Sequence, residues 1–148
     1  MKKTVFLALA CLAIPLLAQN PPQKSTPDFL GIHIGGPTRV GHYFLPHLIT
    51  SAGHLHKPVA TETKPAGPVM KQKKTYDWSF VYDPQGNGGN GTLQATLGDE
   101  SVTHNLEPGV KSEGATFDRF GLLVVPEGGH HVKIYLDDLK YTAAAGAQ

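Results

Sequence analysis

The sequence predicts an all-β chain folded as an antiparallel β-sandwich, and three observations carry that expectation. Apolar and polar residues alternate with a period of two over residues 75–82, 92–97 and 132–136, the repeat that sends successive side chains to opposite faces of a strand. Clusters of Gly, Asn and Pro punctuate these runs at the spacing of turns. Helical spacing of leucines appears nowhere after residue 18. Short strands separated by turn residues, with no helical stretch between them, are the pattern of two packed sheets.

The chain opens on what reads as a secretory signal peptide over residues 1–18. Lys2 and Lys3 form a basic start, residues 4–17 are apolar and uncharged, and Leu16-Leu17-Ala18 offers a small residue for cleavage. A membrane anchor is the competing assignment, but this run falls short of the roughly 20 residues a spanning helix needs, and Pro15 interrupts it. Cys11, the one cysteine, lies too early to mark a lipoprotein and would leave with the signal. The mature chain is then expected outside the cytoplasm, secreted or periplasmic, with no disulfide available to it. Residues 19–28, rich in Pro, Gln, Ser and Thr, predict a disordered linker, and residues 143–148 a disordered tail.

Residues 29–142 are the predicted sandwich. FLGIHI at 29–34 is a strand candidate closed by Gly35-Gly36-Pro37, and residues 40–49 are extended segments bent around Pro46. An irregular loop with Pro58, Pro65, Gly67 and Pro68 follows. From residue 75 the alternation is clean, with Tyr76, Trp78, Phe80 and Tyr82 on one face. The Gly/Asn-rich residues 83–91 turn the chain into residues 92–97, whose apolar set is Leu93, Ala95 and Leu97. Gly98-Asp99 turns into residues 101–106, where Val102, His104 and Leu106 share a face. Finally, residues 117–125, a turn at Glu127-Gly128-Gly129 and a return through Val132, Ile134 and Leu136 predict a last hairpin, which ends at Asp137-Asp138.

YDWSFVYDP, GNGGNGT, GATFDRFGL and VKIYLDDLKY, taken in order over residues 74–142, resemble the second half of concanavalin A-like (LamG-type) jelly-roll domains of secreted bacterial proteins. That resemblance implies a jelly-roll sandwich, either minimal or lacking its first half. It also implies a domain facing carbohydrate or glycan, often with calcium. Fold alone does not give function, so each candidate site is weighed on its residues.

Calcium wants six to eight oxygen ligands from neighbouring turns. Asp83, Asp137 and Asp138 offer carboxylates, although alternation sets Asp137 and Asp138 on opposite faces. Glycan binding would draw on Asn87 and Asn90 in the turn and on Trp78 and Tyr82 for stacking, while the shared face of those aromatics also suits a core. The alternative is metal handling by histidine, a residue present eight times. His54 and His56 in a strand would point the same way, a spacing suited to zinc or copper. No catalytic set emerges. The acids at 100, 107, 113 and 127 lie in or beside turns, without the paired spacing of glycosidases, and no serine has a nucleophile-elbow context. A near-neutral mature chain, whose one basic block is Lys71, Lys73 and Lys74, argues against nucleic acid and reads as a solvated run. The expected function is therefore a non-catalytic exported sandwich that binds glycan or serves as an accessory domain. A His-rich metal-binding protein or a structural module is the alternative.

Overall fold

The computed structural model of the chain describes residues 29–113, 119–124 and 133–142. The expected signal segment 1–18, linker 19–28, turn at 127–129 and tail 143–148 lie outside the described residues. The described chain is all-β, with strands β1 (Phe29–Pro37), β2 (Gly41–Ile49), β3 (Leu55–His56), β4 (Val69–Lys71), β5 (Trp78–Asp83), β6 (Thr92–Leu97), β7 (Glu100–Asn105) and β8 (Phe120–Val124). Two single 3-10 turns, Asn87–Gly89 and Val110–Glu113, complete it.

The strands form two sheets. One has the order β3-β2-β1-β8 with β4 also paired to β2, and the other the order β5-β6-β7. The second sheet is the part that alternation predicts most directly. On β5 Trp78, Phe80 and Tyr82 turn inward while Ser79, Val81 and Asp83 face solvent, and on β6 Leu93, Ala95 and Leu97 are buried. Across the sandwich, Leu30, Ile32 and Ile34 of β1 and Phe44 and Leu48 of β2 meet them. Leu106 and Val110 close one end of this core beside Leu93, and Trp78, Met70 and Leu122 pack at the other. Burying such side chains contributes about 1.5–3 kcal/mol each, and a chain with one cysteine has no internal disulfide to add to it.

Pro46 sits inside β2, where a proline would ordinarily break a ladder. The Phe44 amide, two residues earlier, donates to Pro68 O at 2.8 Å on the β4 side. By the same parity the nitrogen of Pro46 faces that side. There β3 pairs only with Leu48 and Ile49, and β4 only with residues 41–43. The missing donor falls in the gap between the two short strands.

Two expectations need correcting. The sandwich is not wholly antiparallel, because β8 lies parallel to β1 with Gly31 opposite Gly121. A Cβ on Gly31 would run into Gly121 O, so the glycine permits this close approach. The return strand of the last hairpin is also absent where it is described, since residues 133–137 take no strand conformation. Among the described residues β8 pairs with β1 alone, and of residues 133–136 only Ile134 is half-buried against the core.

Candidate metal centre

β2 ends at Ile49, and Thr50 begins a tight turn whose closure is local. Gly53 N donates to Thr50 O at 2.8 Å, and Thr50 N donates to His54 O at 3.0 Å. Gly53 holds φ at +83°, a conformation that glycine adopts without a Cβ penalty. The chain then returns as β3, pairing Leu55 with Ile49 and His56 with Leu48. Two residues apart on an extended arm, His54 and His56 project to the same side.

What they meet is Glu113, the last residue of the 3-10 turn after β7. Its Oε2 lies 3.2 Å from His54 Nδ1 and 3.7 Å from His56 Nε2. Thr50, fully buried, donates its hydroxyl to the same oxygen at 2.7 Å, and Ser51 Oγ donates to Glu113 O at 2.7 Å. These bonds hold the carboxyl below its usual range, the Thr50 hydroxyl first, with the His54 contact and the two imidazoles adding to it against some desolvation. One ligand atom from each of His54, His56 and Glu113 lies within 4.8 Å of the others, and among the described residues no other three His, Cys, Asp or Glu side chains gather this way.

The spacing can be set against what an ion needs. Zinc bonds of about 2.0–2.1 Å to nitrogen and oxygen place the donors of a tetrahedron about 3.4 Å apart, and 3.2 and 3.7 Å fall either side of that edge. One atom separates this cluster from an ordinary ion pair. His56 Nε2 is shut off from solvent and has no hydrogen-bond partner, although it is aimed at the cluster. A buried polar atom left unsatisfied costs about 1–3 kcal/mol. Behind it, His104 on β7 is held below the ordinary imidazole range by burial first and by the charge of His56 next, with Glu107 opposing. The centre thus lies where the edge of one sheet approaches the other.

The other predicted site residues are not gathered in this way. Trp78 stacks on Phe120 at 6.2 Å and 12° and meets Phe44 edge-on at 6.2 Å, so its ring is engaged with the facing sheet. Tyr82 packs against the core beside Leu93. Asn87 donates its amide to Leu106 O at 2.8 Å and Asn90 donates to Asn87 O at 3.0 Å. Lys111 Nζ ties down the same loop through Pro84 O and Gly89 O. Asp83 accepts from Gln85 N through Oδ1, and Asp137 accepts from Asp138 N in an exposed turn. Of the predicted ligands, only His54 and His56 converge. Glu113 escaped the sequence analysis because it is 59 residues from His54, and nothing in its local sequence sets it apart from the other acids near turns.

Comparison with known proteins returns no match. No family model fits the chain, and neither a curated protein nor a solved structure is similar to it. The concanavalin A-like resemblance therefore rests on its four sequence segments, beside an architecture of two packed sheets. Among the described residues no helix is long and apolar enough to cross a membrane.

Proposed function

We propose that this chain is an exported β-sandwich that binds a divalent transition-metal ion, zinc or copper, through His54, His56 and Glu113. The observation that carries the proposal is the buried Nε2 of His56, which has no hydrogen-bond partner and lies 3.7 Å from Glu113 Oε2. Two imidazoles and one carboxylate suit a borderline cation, whereas calcium takes oxygen donors in larger number. Thr50 acts from behind, fixing the carboxylate through its hydroxyl as outer-shell partners commonly do. His54, with its side chain two-thirds exposed, leaves one side of the ion open to water or to a ligand from outside. That openness suits a protein that takes up or hands over metal, and export follows from the N-terminal segment.

The test is calorimetric titration of untagged, metal-stripped protein with Zn²⁺, Cu²⁺ and Ca²⁺, repeated on the double variant H54A/H56A. The expected result is one equivalent of Zn²⁺ or Cu²⁺ bound, an affinity at least about 100-fold lower in the variant, and no heat with Ca²⁺. Equal binding by the variant, or none by the wild type, overturns the assignment.

A further inference from the structure

A second feature shares no residue with the metal centre. The β1–β2 turn and the segment after β4 enclose an open cleft of about 470 Å³, lined by Thr38, Arg39, Val40, Gly41, His42, Lys71, Gln72 and Lys74. The chain as a whole is nearly balanced, with 13 Lys and Arg against 12 Asp and Glu. The cleft departs from that balance, since three of those cations line it and none of the acids does. Among the described residues, Arg39, Lys71 and Lys74 have no carboxylate within ion-pair distance. Like charges gathered without a counter-charge repel one another, so the arrangement stores a field that an anion would relieve.

The walls are also held in place. Thr38 Oγ1 accepts from Gly41 N at 2.9 Å and from Val40 N at 3.3 Å, and donates to Gly41 O at 2.9 Å. On the facing side Lys71 N donates to Tyr76 Oη at 3.2 Å, bracing the turn that presents Lys74. Gly41 lies so close to the Met70 carbonyl that a Cβ would collide with it, which draws the two walls together. The basic run 71–74 is thereby brought opposite Arg39, a juxtaposition that a stretch of solvated lysines in sequence does not disclose.

We infer that this cleft binds a ligand carrying clustered tetrahedral oxyanions, phosphate or sulfate groups. The planar guanidinium of Arg39 matches two oxygens of one such group, and the lysine ammoniums serve the adjacent groups as point charges. A single carboxylate would satisfy only one of the three cations. The cleft volume accommodates two or three linked oxyanions.

Metal-stripped full-length protein, titrated with inorganic tripolyphosphate and separately with a sulfated heparin hexasaccharide, tests this without a bridging ion. Saturable binding at low salt is expected for at least one of the two. The probe that binds more tightly tells a phosphate ligand from a sulfated one. Reversing two exposed cations, R39E/K74E, should weaken binding at least about tenfold. The control K64E/K140E, which changes net charge equally outside the cleft, should change it less than about twofold, as screened surface charges do. Absence of binding to both probes, or equal losses in the two double variants, overturns the inference. Neither result bears on the metal titration.

Discussion

Two pairs of histidines in this molecule have almost the same ring geometry and opposite physics. His33 and His47 stand edge-on at 6.3 Å and 82°, and His54 and His56 edge-on at 6.4 Å and 83°. The first pair lies on neighbouring strands of a sheet, 5% and 1% exposed. The second pair lies at the start of one short edge strand, His56 within it and His54 just before it, with a carboxylate in reach of both rings. Burial drives His47 down to about 4, the charge of His33 pushes the same way, and a hydrogen bond to the Ile32 backbone only partly opposes them. Ring spacing therefore says little about what a histidine pair does. What decides is whether the surroundings supply an anion and an opening.

The sharpest break between the pairs should come in acid. In the unfolded chain His47 takes its proton near 6.5, while the folded chain resists protonation until about 4. A depressed folded value means that the contribution is fully present above 6.5 and is lost as pH falls toward 4. The loss amounts to about 3 kcal/mol by the lower limit. Urea unfolding at pH 7 and pH 4.5 on wild type and His47→Phe measures it, with the variant expected to lose visibly less stability over that interval. His104, also depressed by burial, adds a smaller loss of the same sign in both proteins. Parallel pH dependence in wild type and variant would mean that His47 is not the acid-sensitive element.

The rim pair should respond instead to metal. An ion that binds only the folded chain stabilises it by about 2.7 kcal/mol at one hundred times its dissociation constant. Zinc at that excess should raise the melting temperature of wild type and of His47→Phe equally, and leave H54A/H56A unmoved. A shift that vanishes in His47→Phe but survives in H54A/H56A would assign the metal to the wrong pair.

The difference between the pairs was only partly legible in the chain. The two-residue spacing of His54 and His56 announced a shared face, because strand parity is local. Glu113 was invisible, since its approach depends on how the segment after β7 brings the 3-10 turn Val110–Glu113 against the β2–β3 turn. The same distinction runs through the fold. Residues 75–106 were readable nearly strand by strand, because consecutive antiparallel partners joined by Gly/Asn turns leave their signal in contiguous sequence. The parallel pairing of β8 with β1 left none: Gly31 and Gly121 lie far apart in sequence, and nothing marks them as partners before the strands meet. Among the described residues β8 pairs with β1 alone, and residues 133–136 join no ladder. Periodicity reports which face of a segment is apolar, and not which edge it finds.

The smallest effect tests how the rim pair acquires its anion. Thr50 is buried, and its hydroxyl donates to the oxygen of Glu113 that faces both imidazoles. Removing that donor in Thr50→Val keeps the β-branched shape but frees the carboxylate to rotate away. Zinc affinity should then fall about tenfold, at the lower end for loss of an outer-shell partner, while Thr50→Ser restores it. Because Ser51 still anchors the Glu113 backbone through its carbonyl, the 3-10 turn itself should stay in place. The two substitutions thus separate orientation of the carboxylate from its mere proximity. If Thr50→Val binds zinc as tightly as wild type, the hydroxyl serves packing of the turn alone, and the two imidazoles hold the ion without a fixed third ligand.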